Sequence, residues 1–348
     1  MRFAALPQNA PELLGLMANL VPLPLAHTHF ASFLARIVYE AADAGVFTAL
    51  AAQPLDAATA AAALNLDAGA LDAILGALAA AGYLRCRDGR FALRPRMRKW
   101  LTEDSPDSLL DQLRFMRSVW SWLDHMPEFL RTGRGLQYHD TFTPEQWNLY
   151  QRGMAAVARI SAPEVARRTP VPKGATAMLD IGGSHGLYSL ALCRRHAALR
   201  ATILDLPPAV AVARPLLAGQ DHAERIGFIA GDALSADLGE RCYDLVFASS
   251  LMHHFTPAQN LDLTRRVARA LKPSGFFVIQ EFVRPEQALG TDAVGAVLNV
   301  FFALSSTAGT WRSADFAAWQ AEAGLSPYKT IRFLTMPGFR QIVARRAP

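Results

Sequence analysis

Cysteine is scarce in this chain. The three present, Cys86, Cys193 and Cys242, are scattered and odd in number, which excludes a disulfide framework or a cysteine-rich zinc site and points to reduced thiols in a cytoplasmic setting. Long apolar runs are missing too. Although 51% of the 348 residues are hydrophobic, charge or proline breaks every stretch before it is long enough to span a bilayer, so no membrane partner is expected. The N-terminus carries Arg2 but also Pro7, Pro11 and Glu12, with no continuous apolar stretch ending in a cleavage motif, and a signal peptide is not expected. No internal repeat is found. The net charge is +5, yet Leu55 to Leu84 contains no Lys or Arg. What these absences leave is a globular chain long enough for a large core and more than one domain.

What is present is a strand, a glycine turn and a helix in Ala177-Met-Leu-Asp-Ile-Gly-Gly-Ser-His-Gly186 and the residues after it. Apolar residues run up to Asp180, the glycines Gly182, Gly183 and Gly186 make the turn, and Leu187 to Arg195 follows a helical pattern. Glycine here permits positive φ and lets a ligand approach main-chain atoms with no Cβ in the way. The spacing is D-x-G-x-x-x-G and not the G-x-G-x-x-G of a dinucleotide turn. An acid ahead of the first glycine repels a pyrophosphate but suits a cation such as the ammonium end of S-adenosylmethionine. Asp205, followed by Leu206, ends the next apolar strand, roughly 20 residues past the turn, where an acid can accept both hydroxyls of a ribose.

Taken alone, such a turn is equally an ordinary strand-to-helix connection, and the elements that follow shift the reading. Phe228-Ile-Ala-Gly-Asp232-Ala-Leu234 ends a strand in Gly-Asp, where a carboxylate can accept from an adenine amino group while Leu234 packs on the ring. Tyr243 to Phe247 and Gly275 to Glu281 read as further strands, the latter preceded by a helix from Pro257 to Leu271. Strand and helix alternate, and the polar residues named lie at strand carboxyl ends, where open α/β sheets bind ligands.

On these motifs the chain resembles the S-adenosylmethionine-dependent small-molecule O-methyltransferases, the family of the caffeic acid and acetylserotonin enzymes and many bacterial natural-product enzymes. The resemblance spans nearly the whole chain. It implies an α/β fold with a Rossmann-like class I methyltransferase sheet, S-adenosylmethionine as cofactor and S-adenosylhomocysteine as product. It places the cofactor against Asp180, Gly182, Gly183, Gly186, Asp205, Leu206, Gly231, Asp232, Ala233, Leu234 and Ser249, although Ser184 stands where a third glycine is common. The family's catalytic histidine lies in a Leu-x-His-Asp-Trp-like motif after the fourth strand, matched by Leu251-Met-His-His-Phe255, so His253 corresponds to the base. Glu281 matches a carboxylate that orients it. Two departures from the family pattern stand out: Ser249 replaces a cofactor-contacting lysine frequent in plant members, and Ser306 to Thr310 lacks the acid those members carry.

The chemistry asks for a base, because a phenol ionises only near ~10 and a histidine can take its proton as the oxygen attacks. The competing reading is a core histidine without catalytic duty. Neighbours His253 and His254 diverge on a helix and no Cys/His cluster completes a tetrahedral set, so no metal is expected.

The chain divides near residue 100 in this reading: 1–100 a helical winged-helix-like dimerisation domain, 101–170 linking helices that contribute to the acceptor pocket, and 171–348 the cofactor-binding domain. Glu12 to Leu50 reads as two helices broken around Pro22 and Pro24, Ala57 to Leu84 as two more, and Tyr83 to Leu93 as a hairpin around Asp88-Gly89. Leu109 to Phe129, Pro144 to Val165 and Ser313 to Ala323 read as helices, and Thr330 to Leu334 with Gln341 to Ala344 as a final hairpin. The resemblance implies a homodimer through the N-terminal helices. Phe115, Met116, Trp120, Trp122, Met126, Tyr150, Met154, Asn299, Phe301 and Phe302 form the expected acceptor set, with Met154 and Asn299 favoured by the family. A winged helix can also bind DNA, but Asp56, Asp67 and Asp72 in a segment without Lys or Arg would face phosphates, so no nucleic-acid partner is expected. The other rival is a relative that keeps the cofactor for decarboxylation, hydroxylation or a pericyclic step.

Overall fold

A computed structural model describes residues 7, 9–286 and 292–348. The chain forms two compact units that divide between Trp120 and Ser121, later than the division near residue 100 read from the sequence. The expected helix from Leu109 to Phe129 is in fact Leu110–Val119, a 3₁₀ segment Trp120–His125 and a new helix Met126–Thr132. Pro127 sits in the first turn of that new helix, where a missing N–H costs no intrahelical bond.

In the N-terminal unit the second of the two helices read between Glu12 and Leu50 is itself broken at Gly45 (φ 76°) into Ala31–Asp43 and Val46–Ala52, because a left-handed residue ends an α-helix. Between the helices Ala10–Met17 and Ala31–Asp43, the region of Pro22 and Pro24 holds only a short turn Leu23–Leu25 and a widened turn Ala26–Phe30. Asp56 and Asp67 cap the helices Ala57–Leu64 and Ala68–Ala80 through backbone amides of Thr59 and Ala70, satisfying N–H groups that a helix start leaves unpaired. Strands β1 (Leu84–Arg87) and β2 (Arg90–Leu93) then pair antiparallel. Their turn has Asp88 at φ 50° and Gly89 at φ 71°, the left-handed pair that matches strand twist. Phe47, Leu50, Leu71, Leu75, Leu78 and Leu93 close this unit's core.

The second unit is built on a sheet of seven strands among the described residues: β3 (Ala177–Ile181), β4 (Arg200–Asp205), β5 (Ile226–Ala230), β6 (Tyr243–Ser249), β7 (Leu271–Phe282), β8 (Ser326–Arg332) and β9 (Phe339–Arg345). Their order is β5-β4-β3-β6-β7-β9-β8. The pairs from β5 through β7 are parallel, and the final hairpin adds β9 antiparallel to β7. Because side chains alternate across a strand, the apolar runs bury both faces. Leu179, Ile181, Val246, Ala248, Phe277 and Ile279 pack with Leu263 and Val267 of the helix Pro257–Ala270. Their alternates Met178, Leu245, Phe247 and Val278 pack with Leu192 and with Ala158 and Val165 of the helix Pro144–Arg168. Thr143 and Thr256 start these two long helices, each with a reciprocal capping box (Gln146, Gln259) and a proline in the first turn.

The chain runs outward from β3 through β4 to β5 and then returns to lay β6 on the other side of β3. That reversal opens a crevice at the carboxyl ends of β3 and β6, the place where such sheets take ligands. No single helix among the described residues is long and apolar enough to cross a membrane.

Candidate active site

The β3 carboxyl end builds the turn. Asp180 is buried; one carboxylate oxygen accepts from the Ser189 hydroxyl at 2.6 Å, while Oδ1 has no partner. Burial, with Asp205 nearby, pushes this carboxyl up to about 7. Gly183 lies directly over it: a Cβ there would come within 2.7 Å of the Asp180 carboxylate. Gly182 and Gly186 hold φ of +67° and +72°, and Cβ atoms there would strike Leu251, Leu217 and Ile203 at under 3 Å. Gly182 and Gly186 are required twice over, by backbone conformation and by space, and Gly183 by space alone.

Asp205 ends β4 and faces the turn. Its two oxygens accept from the backbone amides of Ser184 and Leu206, each at 2.7 Å. Burial pushes its carboxyl up to about 6 against the effect of those two bonds. Each carboxylate oxygen keeps a further lone pair for a ribose hydroxyl. Beyond β5, Asp232 closes its own loop by accepting from the Leu234 amide at 2.8 Å. The Arg266 guanidinium ties that loop down through the carbonyls of Ala233 and Ala236.

The turn after β6 carries the histidines. Ser250 takes φ +52° and a short 3₁₀ segment, Met252–His254, follows. His253 and Glu281, the latter near the end of β7, are both buried, with Nδ1 of the imidazole 3.1 Å from Oε2 of the carboxylate. The other carboxylate oxygen accepts from the Met252 amide at 2.8 Å. Asn260 and Trp311 donate to the Met252 carbonyl, and the Ser306 hydroxyl to the His253 carbonyl. The Phe302 ring lies 3.9 Å from the His253 ring. His254 turns instead toward His139, ring centroids 4.9 Å apart. Burial, then the neighbouring histidines, hold the His254 imidazole well below its ordinary range, and His139 is lowered to about 3 by burial and His253. Both are neutral at physiological pH and do not repel a cation.

A partly open cleft lies here, at the carboxyl ends of the strands, where sheets of this kind take ligands. Gly182, Ser184, Asp205, Gly231, Asp232 and Ala233 form one wall. His139, Trp147, Tyr150, Gln151, His254 and Phe255 form another. Next to it the rings continue, Trp122 stacked on Tyr138 at 4.5 Å and aligned with Phe301 at 6.2 Å. The wall carries acids and no Lys or Arg, and Asp180 has an oxygen without a partner beneath the turn. Those features fit a cationic nucleoside such as S-adenosylmethionine and do not fit a pyrophosphate.

Of the cofactor residues read from the sequence, Gly182, Asp205, Leu206, Gly231, Asp232 and Ala233 line the cleft, while Asp180, Gly183, Gly186 and Leu234 do not; of the histidine turn, His254 lines it, and the buried His253 and Glu281 lie behind the lining. Ser249 does not line the cleft; its hydroxyl accepts from Gln280 at 3.0 Å, and Ser250 lies on the wall. Met154 and Asn299 also lie outside the lining, and the Asn299 amide oxygen is taken by the backbone and hydroxyl of Thr310. Phe115, Met116 and Trp120 belong to the N-terminal unit, where Trp120 meets Tyr39 edge-on and the Arg36 guanidinium. Gln151, His139, Arg266 and Ser306 escaped the sequence reading. A glutamine or arginine in a helix pattern carries no sign that distinguishes a site from a solvated face.

Comparison with known proteins agrees with this geometry. Residues 124–326, more than half of the chain, match a family model described as an O-methyltransferase domain. The 3-hydroxy-5-methyl-1-naphthoate 3-O-methyltransferase of Streptomyces sahachiroi is 26% identical over 319 residues, 87% of this chain and 89% of the relative. The acetylserotonin O-methyltransferase of Mus musculus is 26% identical over 327 residues, 87% and 83% of the two chains. Among solved structures, human N-acetylserotonin methyltransferase in complex with its cofactor aligns with a TM-score of 0.81 at 20% identity, over 94% of this chain and 99% of that one. The fold is shared.

Proposed function

This chain belongs to the O-methyltransferase family, whose methyl donor is S-adenosylmethionine, and from that premise we propose that it methylates a hydroxyl of a small aromatic metabolite, phenolic or polyketide-like, with His253 as general base. The observation that carries this reading is the buried His253–Glu281 pair, 3.1 Å apart, its histidine in the turn after β6 whose Leu251 and His254 line the cleft. Glu281 accepts the Nδ1 proton, which leaves Nε2 with its lone pair free to take a proton from an acceptor hydroxyl. Its negative charge then stabilises the imidazolium, and its second bond, to the Met252 amide, keeps the carboxylate from turning away. Asp180, the glycine turn, Asp205 and Asp232 would hold the cofactor, which supplies an electrophilic methyl and leaves as S-adenosylhomocysteine. Neutral His139 and His254 line the site without opposing its charge.

A flat aromatic acceptor is supported by the Trp122, Tyr138 and Phe301 stack and by the hydroxynaphthoate in the name of the Streptomyces sahachiroi relative. Homodimerisation is supported by the N-terminal helices, which leave Leu13, Leu14, Met17, Leu20, Phe30 and Phe33 exposed, more apolar surface than a stable monomer usually shows. Candidate aromatic hydroxy compounds incubated with enzyme and cofactor test the reading. One methyl of mass gain and one S-adenosylhomocysteine per product are expected. Product formed with the cofactor recovered unchanged would instead identify a relative using the cofactor for another reaction.

A further inference from the structure

Gln151 lies on the helix Pro144–Arg168 with its side chain fully buried, and it lines the cleft beside Ser184 and Asp205. Its amide is half used. The carbonyl oxygen accepts from the Ser184 hydroxyl at 2.6 Å, while Nε2 has no hydrogen-bond partner. An amide hidden from water with both N–H groups unpaired is disfavoured in a finished core, and a ligand oxygen in the cleft would relieve it. Ser184 adds a reason for this placement. It holds φ +50° without being glycine, gives its backbone amide to Asp205 at 2.7 Å and its hydroxyl to Gln151. One residue thereby sets the position of the Asp205 acceptor and fixes which end of the Gln151 amide is left over. The cleft then offers acceptors from Asp205 and Asp232 and, across Ser184, a donor pair from Gln151.

We propose that Gln151 is a cofactor-binding residue, donating from Nε2 to an acceptor oxygen of the bound S-adenosyl compound. The inference rests on the cofactor reading above. Two oxygen sources share this chemistry, the carboxylate of the amino-acid end and the ribose hydroxyls, and ligands that differ in only one of them separate the two.

The test is calorimetric titration of the cofactor-free enzyme with S-adenosylhomocysteine and with 5′-methylthioadenosine, which keeps the adenosine but lacks the amino-acid end. Wild type, Gln151→Met, Gln151→Glu and Ser184→Ala are compared, with melting of each cofactor-free protein as the control for folding. Glutamate can still accept from Ser184 but loses the donors. The expected result is that Gln151→Met weakens S-adenosylhomocysteine about tenfold, in keeping with one lost hydrogen bond, and Gln151→Glu weakens it further. If 5′-methylthioadenosine is unaffected, the oxygen is the carboxylate; if it weakens by the same factor, the oxygen belongs to the ribose. Affinities within twofold of wild type in both Gln151 variants would overturn the proposal. So would a Ser184→Ala loss equal to that of Gln151→Met, since Gln151 would then act only by holding Ser184. A wild-type enzyme that binds neither ligand would overturn the cofactor reading together with it.

Discussion

Glu281 divides its two carboxylate oxygens between His253 Nδ1, at 3.1 Å, and the Met252 amide, at 2.8 Å. The acid is anchored to the turn that carries the imidazole it orients. His253→Ala is therefore expected to lower turnover by on the order of 10²–10⁴-fold with cofactor affinity unchanged. Glu281→Gln, which keeps the shape but loses the charge, should lower turnover by a comparable order and alter its pH profile. Steady-state kinetics on a confirmed acceptor decide this, and a His254→Ala variant that stops turnover while His253→Ala does not would move the base to His254.

Gly183 has no room for a methyl group, because its Cβ would meet the Asp180 carboxylate at 2.7 Å. Gly183→Ala should displace the acid and weaken S-adenosylmethionine at least tenfold. Asp205→Ala should weaken it by about 1–3 kcal/mol, since it removes a ribose acceptor and leaves the Ser184 and Leu206 amides without their partner. Calorimetry on either variant with wild-type affinity would contradict the assignment of the turn.

Asp180 in the cofactor-free protein is pushed up to about 7 by burial, and a cation beside its unpartnered oxygen favours the ionised form. Cofactor binding should release protons near pH 6.5 and tighten as pH rises through 7. Titrations in buffers of different ionisation enthalpy measure that release, and an Asp180→Asn variant should lose the larger part of it, leaving what Asp205, pushed up to about 6, contributes.

Stability should vary with pH through two opposed sets of groups. His139 and His185, both lowered to about 3, and His254, held well below its ordinary range by burial and the neighbouring histidines, have folded values below their unfolded ones. Their contribution is present above about 6.5 and lost as pH falls toward 3. Asp180 and Asp205, pushed up to about 7 and about 6, act the other way, stabilising at low pH and losing that contribution as pH rises from about 4 to 7. The sign for Asp180→Asn follows: its stability should fall more steeply than that of wild type on acidification from 6.5 to 4.5. Urea melts across that range check it.

The exposed Leu13, Leu14, Met17, Phe30 and Phe33 predict a homodimer. Light scattering at micromolar concentration should give twice the chain mass. Charged substitutions at Phe30 and Phe33 should shift that mass to the monomer without loss of helix content.

Local pattern by itself determined much of this protein. Alternating strand and helix, the acid-glycine turn and the strand-end acids Asp205 and Asp232 are contiguous signals, because a buried parallel strand must be apolar and a left-handed turn must favour glycine. The helix breaks at Pro22 and Pro24 and the Asp88-Gly89 hairpin were legible for the same reason. The identity of the base and its partner depended on likeness to a family, since His253 and Glu281 lie far apart along the chain. Only the tertiary structure decided the rest. It drew Ser249 toward Gln280, tied Asn299 to Thr310, gave residues 101–120 to the N-terminal unit and brought Gln151 against Ser184. Each of these turns on which face of a helix or strand meets which distant partner, and a polar side chain in a helix reads the same whether it faces water or a cleft.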